Sequence, residues 1–332
     1  MKKVNPADPF QACILVKSLV VAVFISASFF VGCGKGGFGD LARDGNETTK
    51  LVVVTTTTHV TDMVKSVAGD RVEVVALMGP RVDPHLYKPS ARDAAVLAKA
   101  DLVFYSGLML EGRMADLFAR AARSGVKAYA VTEKVPREKL LEPEEFEGHW
   151  DPHVWFDPEI WASCIEVVRE ALVQADPKGA ELYSGNAVTL RAEYLAVSDW
   201  AKGRLTEIPG DSPKLITSHD AFNYFGRAFG FQVVAVQGVS TATEAGLADR
   251  AEMVDYVKKH GIKAIFIESS INPAIIKAIA KESGARVGGE LFSDAMGDPG
   301  QMEKGPDGEE YDVGTWVGMM KHNLNVIVQG LK

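Results

Sequence analysis

Residues 50–57 read KLVVVTTT, a run of β-branched and aliphatic residues, and a helical spacing of apolar residues takes over at 61–68. A short continuous run of this kind marks a strand buried on both faces. The unit recurs: 72–77, 101–105 and 126–131 read as strands, with helices over 91–100 and 114–123. Ser90 with Asp93 three positions on is a capping-box start for the helix at 91. Past residue 210 the pattern returns, with strands at 214–217, 232–236, 264–267 and 285–287 and helices at 221–229, 248–260, 273–282 and 311–331. Strands alternating with helices predict an α/β protein whose parallel sheets are covered by helices on both faces, here as two similar lobes.

Between the halves, 177–208 has apolar residues at Leu182, Leu190, Tyr194, Val197, Trp200 and Leu205, with no proline after Pro177. Those spacings predict one connecting helix, a strut that limits how far two lobes can hinge, although Gly185 and Gly203 weaken it. The expected division is 51–176 for the first lobe, 177–208 for the helix and 209–332 for the second lobe.

The first 32 residues do not belong to this scheme. Lys2, Lys3 and Lys17 precede an apolar run over 18–32 that ends at Cys33, the layout of a secretory signal. The run is shorter than the roughly 20 apolar residues a membrane-spanning helix needs. Phe30-Val31-Gly32-Cys33 resembles the bacterial lipobox, which implies cleavage before Cys33, a lipid on that cysteine and a membrane-anchored product; Phe30 stands where leucine is usual. The stretch 33–50 is rich in Gly and polar residues and reads as a solvated tether.

The whole chain carries a net charge of -8, and removing the leader leaves 33 Lys+Arg against 43 Asp+Glu. An acidic surface repels phosphate backbones and attracts cations, which argues against nucleic acid as a partner. Of the three cysteines, Cys13 lies in the leader and Cys33 at the anchor, so Cys164 stands alone in a helical pattern with Trp161, Ile165 and Val168. It reads as a buried, inert thiol.

Open α/β sheets bind ligands beyond the carboxyl ends of their strands. Four residues stand there. His85 lies in the loop after the second strand, His153 in the long loop after the first lobe's last strand, His219 directly after 214–217, and Asp294 after the segment 288–292. Asp-Pro-His occurs twice, at 83–85 and 151–153. Three imidazoles and one carboxylate suit a borderline divalent ion such as zinc and would close the site with protein atoms. Imidazoles must be neutral to ligate, so affinity is expected to fall below about pH 6. Glu268, at the end of an apolar strand, is placed either to orient a ligating histidine or to serve as a structural cap. His149 reads as a rim residue and His59 as the close of the first strand, near the crevice. His260 and His322 sit in helices with surface or core roles, and Glu244 in Ser240-Thr241-Ala242-Thr243-Glu244 has no derivable role.

The segments 82–89 (VDPHLYKP), 100–107 (ADLVFYSG), 151–157 (DPHVWFD), 218–225 (SHDAFNYF), 266–270 (FIESS) and 289–297 (GELFSDAMG) together resemble the TroA-like zinc/manganese solute-binding proteins of ABC transporters, from about Val52 to the C-terminus. The resemblance implies two lobes joined by a long helix, one metal between them, and ligands falling on His85, His153, His219 and Asp294. It implies a monomeric, exported lipoprotein, facing the periplasm or the cell exterior, that hands zinc, manganese or iron to an importer's permease subunit. Some relatives, mostly linked to manganese, carry Glu where this chain has His219, which leans weakly towards zinc, but the His-rich loop of many zinc members is here the short, acidic 142–149, so the resemblance leaves the metal open. Two rival functions follow from the same residues. A zinc hydrolase needs an open coordination position and a general base, and no HExxH signature is present. Adhesion is the other, since some streptococcal relatives were described as adhesins, but no adhesive surface is recognisable.

Overall fold

The computed structural model describes residues 50–210 and 213–332, so the leader, Cys33 and all of the tether but Lys50 lie outside the described residues. The β-branched opening run forms β1 (Leu51–Thr55) and then turns into α1 (Thr58–Ala68), because the Thr57 hydroxyl accepts the N–H of Val60 and starts a helix. The first lobe continues through β2 (Val72–Ala76), α2 (Ala91–Leu97), β3 (Leu102–Tyr105), α3 (Ala115–Arg123) and β4 (Lys127–Ala130). Its four strands are parallel in the order β2-β1-β3-β4. The Ser90–Asp93 capping box is present at α2.

Two long antiparallel neighbours follow, α4 (Pro158–Ala175) and α5 (Ala180–Leu205). The second is the connecting helix expected over 177–208; it is shorter at both ends, since 177–179 form a separate tight turn. Its 26 residues span about 39 Å at 1.5 Å per residue. The second lobe comprises β5 (Lys214–His219), α6 (Asn223–Phe229), β6 (Gln232–Gln237), α7 (Leu247–Lys259), β7 (Ala264–Glu268), α8 (Ala274–Ser283), β8 (Arg286–Leu291), a small antiparallel hairpin of β9 (Met302–Lys304) and β10 (Glu310–Asp312), and α9 (Trp316–Leu331). β5 pairs with β6 and β7 with β8, all parallel. β7 runs beside β5, so the strand order repeats the first lobe's plan, but strand pairing does not join the two ladders. The Glu268 carboxylate stitches them instead, accepting the N–H groups of Ser218 at 2.7 Å and His219 at 2.9 Å.

The hairpin corrects the expected helix over 311–331. Tyr311 lies in β10, and the helix starts only at Trp316, where the Thr315 hydroxyl accepts from Gly318. Each lobe keeps a small apolar cluster of its own, around Val54 and Val103 in the first and Ile216 and Ile265 in the second. The main core belongs to both: Trp155, Trp161, Tyr183, Tyr194 and Trp316, fully buried, pack α1, α4, α5 and α9 into one body. Hydrogen bonds from Trp155 Nε1 to the Ser293 carbonyl (3.1 Å) and from Trp316 Nε1 to the Trp155 carbonyl (2.9 Å) cross between the halves inside it. A shared aromatic core of this kind resists a wide hinge motion. Cys164 is buried within it, and burial pushes its thiol up to about 12, as an inert packing residue requires. Among the described residues no helix is long and apolar enough to cross a membrane.

Candidate metal centre

Each of the four strand-end residues is delivered by a different device. His85 sits in the loop after β2, where the Asp83 carboxylate accepts its N–H at 2.8 Å. His153 precedes the tight turn Val154–Phe156 at the entry to α4, and Asp151 accepts its N–H at 2.9 Å. His219 is the last residue of β5. Asp294 follows β8 in a loop pinned by Asn323 of α9, whose side-chain amide bonds both the N–H (2.9 Å) and the carbonyl (2.7 Å) of Phe292.

The four side chains converge. All are buried, and their donor atoms lie within 4.8 Å of one another. His153 Nε2 is 3.2 Å from Asp294 Oδ1, His219 Nε2 3.3 Å from Asp294 Oδ2, and the Nε2 atoms of His85 and His153 are 3.3 Å apart. The longest of these contacts, from His85 Nε2 to Asp294 Oδ2, is 4.0 Å. Donors about 2.0–2.1 Å from a tetrahedral centre stand roughly 3.3 Å from one another, so the cage has the size of a first-row divalent ion. Its hydrogen bonding points the same way: His219 Nε2 and both oxygens of Asp294 are buried with no well-formed hydrogen bond among the described residues. A buried carboxylate left so is costly unless a cation faces it.

Carboxylates behind the ring set the electrostatics. His153 Nδ1 lies 2.7 Å from Asp151 Oδ1, and His219 Nδ1 lies 2.6 Å from Glu268 Oε2. Both partners turn the imidazole so that Nε2 faces the centre. Burial alone would lower the pKa of His153, yet Asp151 and Asp294 raise it to about 9; Glu268 and Asp294 likewise overcome burial and hold His219 well above an ordinary imidazole. Asp294, which burial would raise, is held well below the usual carboxylate range chiefly by His219 and His153. His85 has no such partner, and burial, only partly offset by Asp294, drops it to about 3.

The remaining sequence candidates separate clearly. Glu268 bonds both the ring and the backbone of His219, so orientation and capping are one role here. His149 is exposed, packs at a tilt against Phe146 with ring centroids 5.1 Å apart and lies outside the cluster. His59 does not close the first strand: it is the second residue of α1, fully buried, stacked on Trp155 at 4.5 Å with neither ring nitrogen bonded among the described residues. His260 ends α7 against Tyr256, and His322 bridges Glu303 and the Glu290 carbonyl. Sequence reasoning missed three residues. Asp151 was signalled by its place two positions before a histidine, Trp155 packs edge-on to His153 at 5.2 Å, and Thr241 binds Asp83 at 2.7 Å. Glu244, Thr241 and Asp83 line one cavity of ≈ 260 Å³ beside the His85 loop.

Residues 53–330 match the family described as ZnuA, "Zinc-uptake complex component A periplasmic". The manganese-binding lipoprotein MntA of Bacillus subtilis is 38% identical over 321 residues, covering 95% of this chain and 99% of that one. The zinc-binding protein TroA of Treponema pallidum is 39% identical over 300 residues, covering 89% and 92%. The solved structure of the periplasmic zinc-binding TroA from Treponema pallidum superposes with a TM-score of 0.79 at 38% identity, covering 85% of this chain and 99% of that chain.

Proposed function

The chain belongs to the ZnuA family of metal-uptake components, and on that premise we propose that it captures one divalent transition metal ion, zinc or manganese, and delivers it to an ABC importer. The observation that carries this reading is the cage itself: two imidazoles from the first lobe meet an imidazole and a carboxylate from the second, and the carboxylate is left buried without a well-formed hydrogen bond. The ligands we assign are His85, His153, His219 and Asp294, with Glu268 and Asp151 orienting two of the rings.

Several further features belong to the same proposal. Export follows from the signal over 1–32, and anchoring from a lipid on Cys33 with 33–50 as tether, on the periplasmic side or the cell exterior. The domain division is 51–176, 177–208 and 209–332. The partner is the importer's permease subunit, met by a monomer. Four protein donors close the cage, which favours carriage over hydrolysis, because a zinc enzyme keeps a position for water. Three neutral nitrogens suit zinc, while both oxygens of Asp294 are available to a larger ion that takes more donors, so the site itself admits either metal.

Elemental analysis of protein purified without added metal, followed by zinc–manganese competition, identifies the cargo. The double variant His85→Ala, Asp294→Ala is expected to retain no metal after dialysis. One equivalent remaining on it would overturn the ligand assignment.

A further inference from the structure

The loop that carries His85 grips the other half of the molecule at its outer edge. One oxygen of Asp83 accepts the N–H groups of His85 (2.8 Å) and Leu86 (3.3 Å), and the other accepts the hydroxyl of Thr241 at 2.7 Å. Thr241 lies in the loop between β6 and α7, 158 residues further along the chain, and is itself buried. Two residues before Asp83, Arg81 holds a left-handed backbone at φ 62, and its guanidinium lies 3.9 Å from Glu290 of β8. A non-glycine residue there is strained and persists only where its surroundings hold it. Leu86, next to the ligand, is 41% exposed, and the ≈ 260 Å³ cavity opens against Asp83 and Thr241.

The other three donors are held differently. His153 is flanked by the shared core through Trp155, His219 ends a strand, and the Asp294 loop is fixed by Asn323 and by the Met296 N–H on Thr58. Among the described residues the His85 loop is the one donor loop that combines a strained non-glycine backbone, partial exposure and a side-chain tie across the lobes. We propose that the Thr241–Asp83 hydrogen bond is the latch of the metal site. While it is made, Asp83 fixes the backbone of His85 in the closed cage. When it breaks, the His85 loop swings into the adjoining cavity and the ion leaves, while His153, His219 and Asp294 stay in place. This rests on the metal-carrier reading and makes Thr241 and Asp83 positioning residues for release.

The test uses the full chain loaded with zinc and mixed rapidly with excess chromogenic chelator. A hydroxyl on a carboxylate is a charge-assisted bond, and losing it corresponds to about a tenfold change in rate or more. Thr241→Val, of the same shape, is expected to release zinc about tenfold faster while its association rate stays within twofold of the parent. Thr241→Ser restores the hydroxyl and is expected to release at the parent rate within twofold. Release from Thr241→Val at the parent rate, or from Thr241→Ser as fast as from Thr241→Val, would overturn the latch. Amide hydrogen exchange supplies a second reading in the metal-free proteins: His85 and Leu86 should exchange faster in Thr241→Val, with His153 and His219 unchanged. Equal protection of His85 in both proteins would also overturn it. A parent that holds no zinc sinks the carrier reading instead, and the exchange comparison still decides the latch.

Discussion

The two Asp-Pro-His segments begin alike and end differently. In each, an aspartate oxygen accepts the N–H of the histidine two residues on, at 2.8 Å for Asp83 and 2.9 Å for Asp151. There the likeness stops. Asp151 also takes the His153 ring, its second oxygen accepts from Asn223 at 3.2 Å, its carbonyl accepts the Tyr224 hydroxyl at 3.0 Å, and the residue is fully buried. Asp83 has no bond to the His85 ring, and its second oxygen reaches across to Thr241. One motif therefore sets two kinds of imidazole in the cluster of four. His153 is clamped by the second lobe, with Asp151 and Asp294 raising it to about 9, whereas burial lowers His85 to about 3 and its loop is tied across the lobes through Asp83 to Thr241. Under the proposed latch, the same tripeptide supplies a fixed wall and a movable jaw, and what differs is the partner of the second carboxylate oxygen.

The largest expected effect breaks that comparison directly. Asp151→Asn keeps an oxygen for the backbone N–H but removes the charge behind the His153 ring, and loss of such a partner typically weakens metal binding by roughly 10–100-fold. Asp83→Asn removes no ring partner, so its affinity should fall by about tenfold or less, mostly through faster release. Chelator competition on both variants measures this. Equal losses would mean that the two segments do the same work.

Next in size is the response to pH. An ordinary imidazole has a pKa of about 6.5, and that value underlies the expectation that affinity falls below about pH 6. The carboxylates move the window upward: with His153 raised to about 9 and His219 raised too, the metal-free cage is protonated at neutral pH, and an incoming ion must displace those protons. Affinity should therefore decline from about pH 9 downwards, by roughly tenfold per pH unit for each proton displaced. Calorimetry in two buffers of different ionisation enthalpy at pH 7.5 should show at least one proton released per ion, and Asp151→Asn should shift the decline downward. For the metal-free fold the sign reverses. The raised His153 contributes stability below about pH 6.5, and that contribution disappears as pH rises through about 9.

What the sequence made legible, and what it did not, follows from the range of the forces involved. Strand and helix identities came from local runs and caps, and the four candidate ligands from the rule that parallel strands gather their carboxyl ends into one crevice; that rule holds because the topology repeats in both lobes. The hairpin of β9 and β10 was invisible because its three-residue strands, MEK and EYD, carry no apolar alternation long enough to separate them from a helix start. His59 was misplaced because Thr55 to Thr58 read as one β-branched run, while a single hydroxyl at Thr57 ends the strand side and starts a helix. Asp151 carried a readable signal in its spacing to His153. The destination of its second oxygen carried none, and Thr241 meets Asp83 over a separation of 158 residues that no local pattern encodes.

The smallest expected effect concerns His59, which resembles a ligand in every respect but position. It is fully buried beside Trp155, the ring packed on His153, and Asp294 is close enough to act on it, yet it lies outside the group of four. Burial lowers it to about 3, so it is neutral at pH 7, and both its nitrogens are unbonded among the described residues. A buried unsatisfied polar group costs about 1–3 kcal/mol. Phenylalanine keeps the stack on Trp155 and has no polar atom to leave unsatisfied. His59→Phe should therefore hold zinc within twofold of the parent and stabilise the metal-free fold by about 1 kcal/mol. The gain should grow as pH falls below about 6.5, because the unfolded chain then takes up a proton that the folded parent refuses and the variant has no such group. Thermal unfolding at pH 7.5 and pH 5.5, with chelator competition alongside, reads both. A tenfold loss of zinc would show instead that this imidazole reaches the ion or Asp294, and the cage would then draw on five side chains, with the extra one anchored in α1 of the first lobe, on the side of the fixed wall.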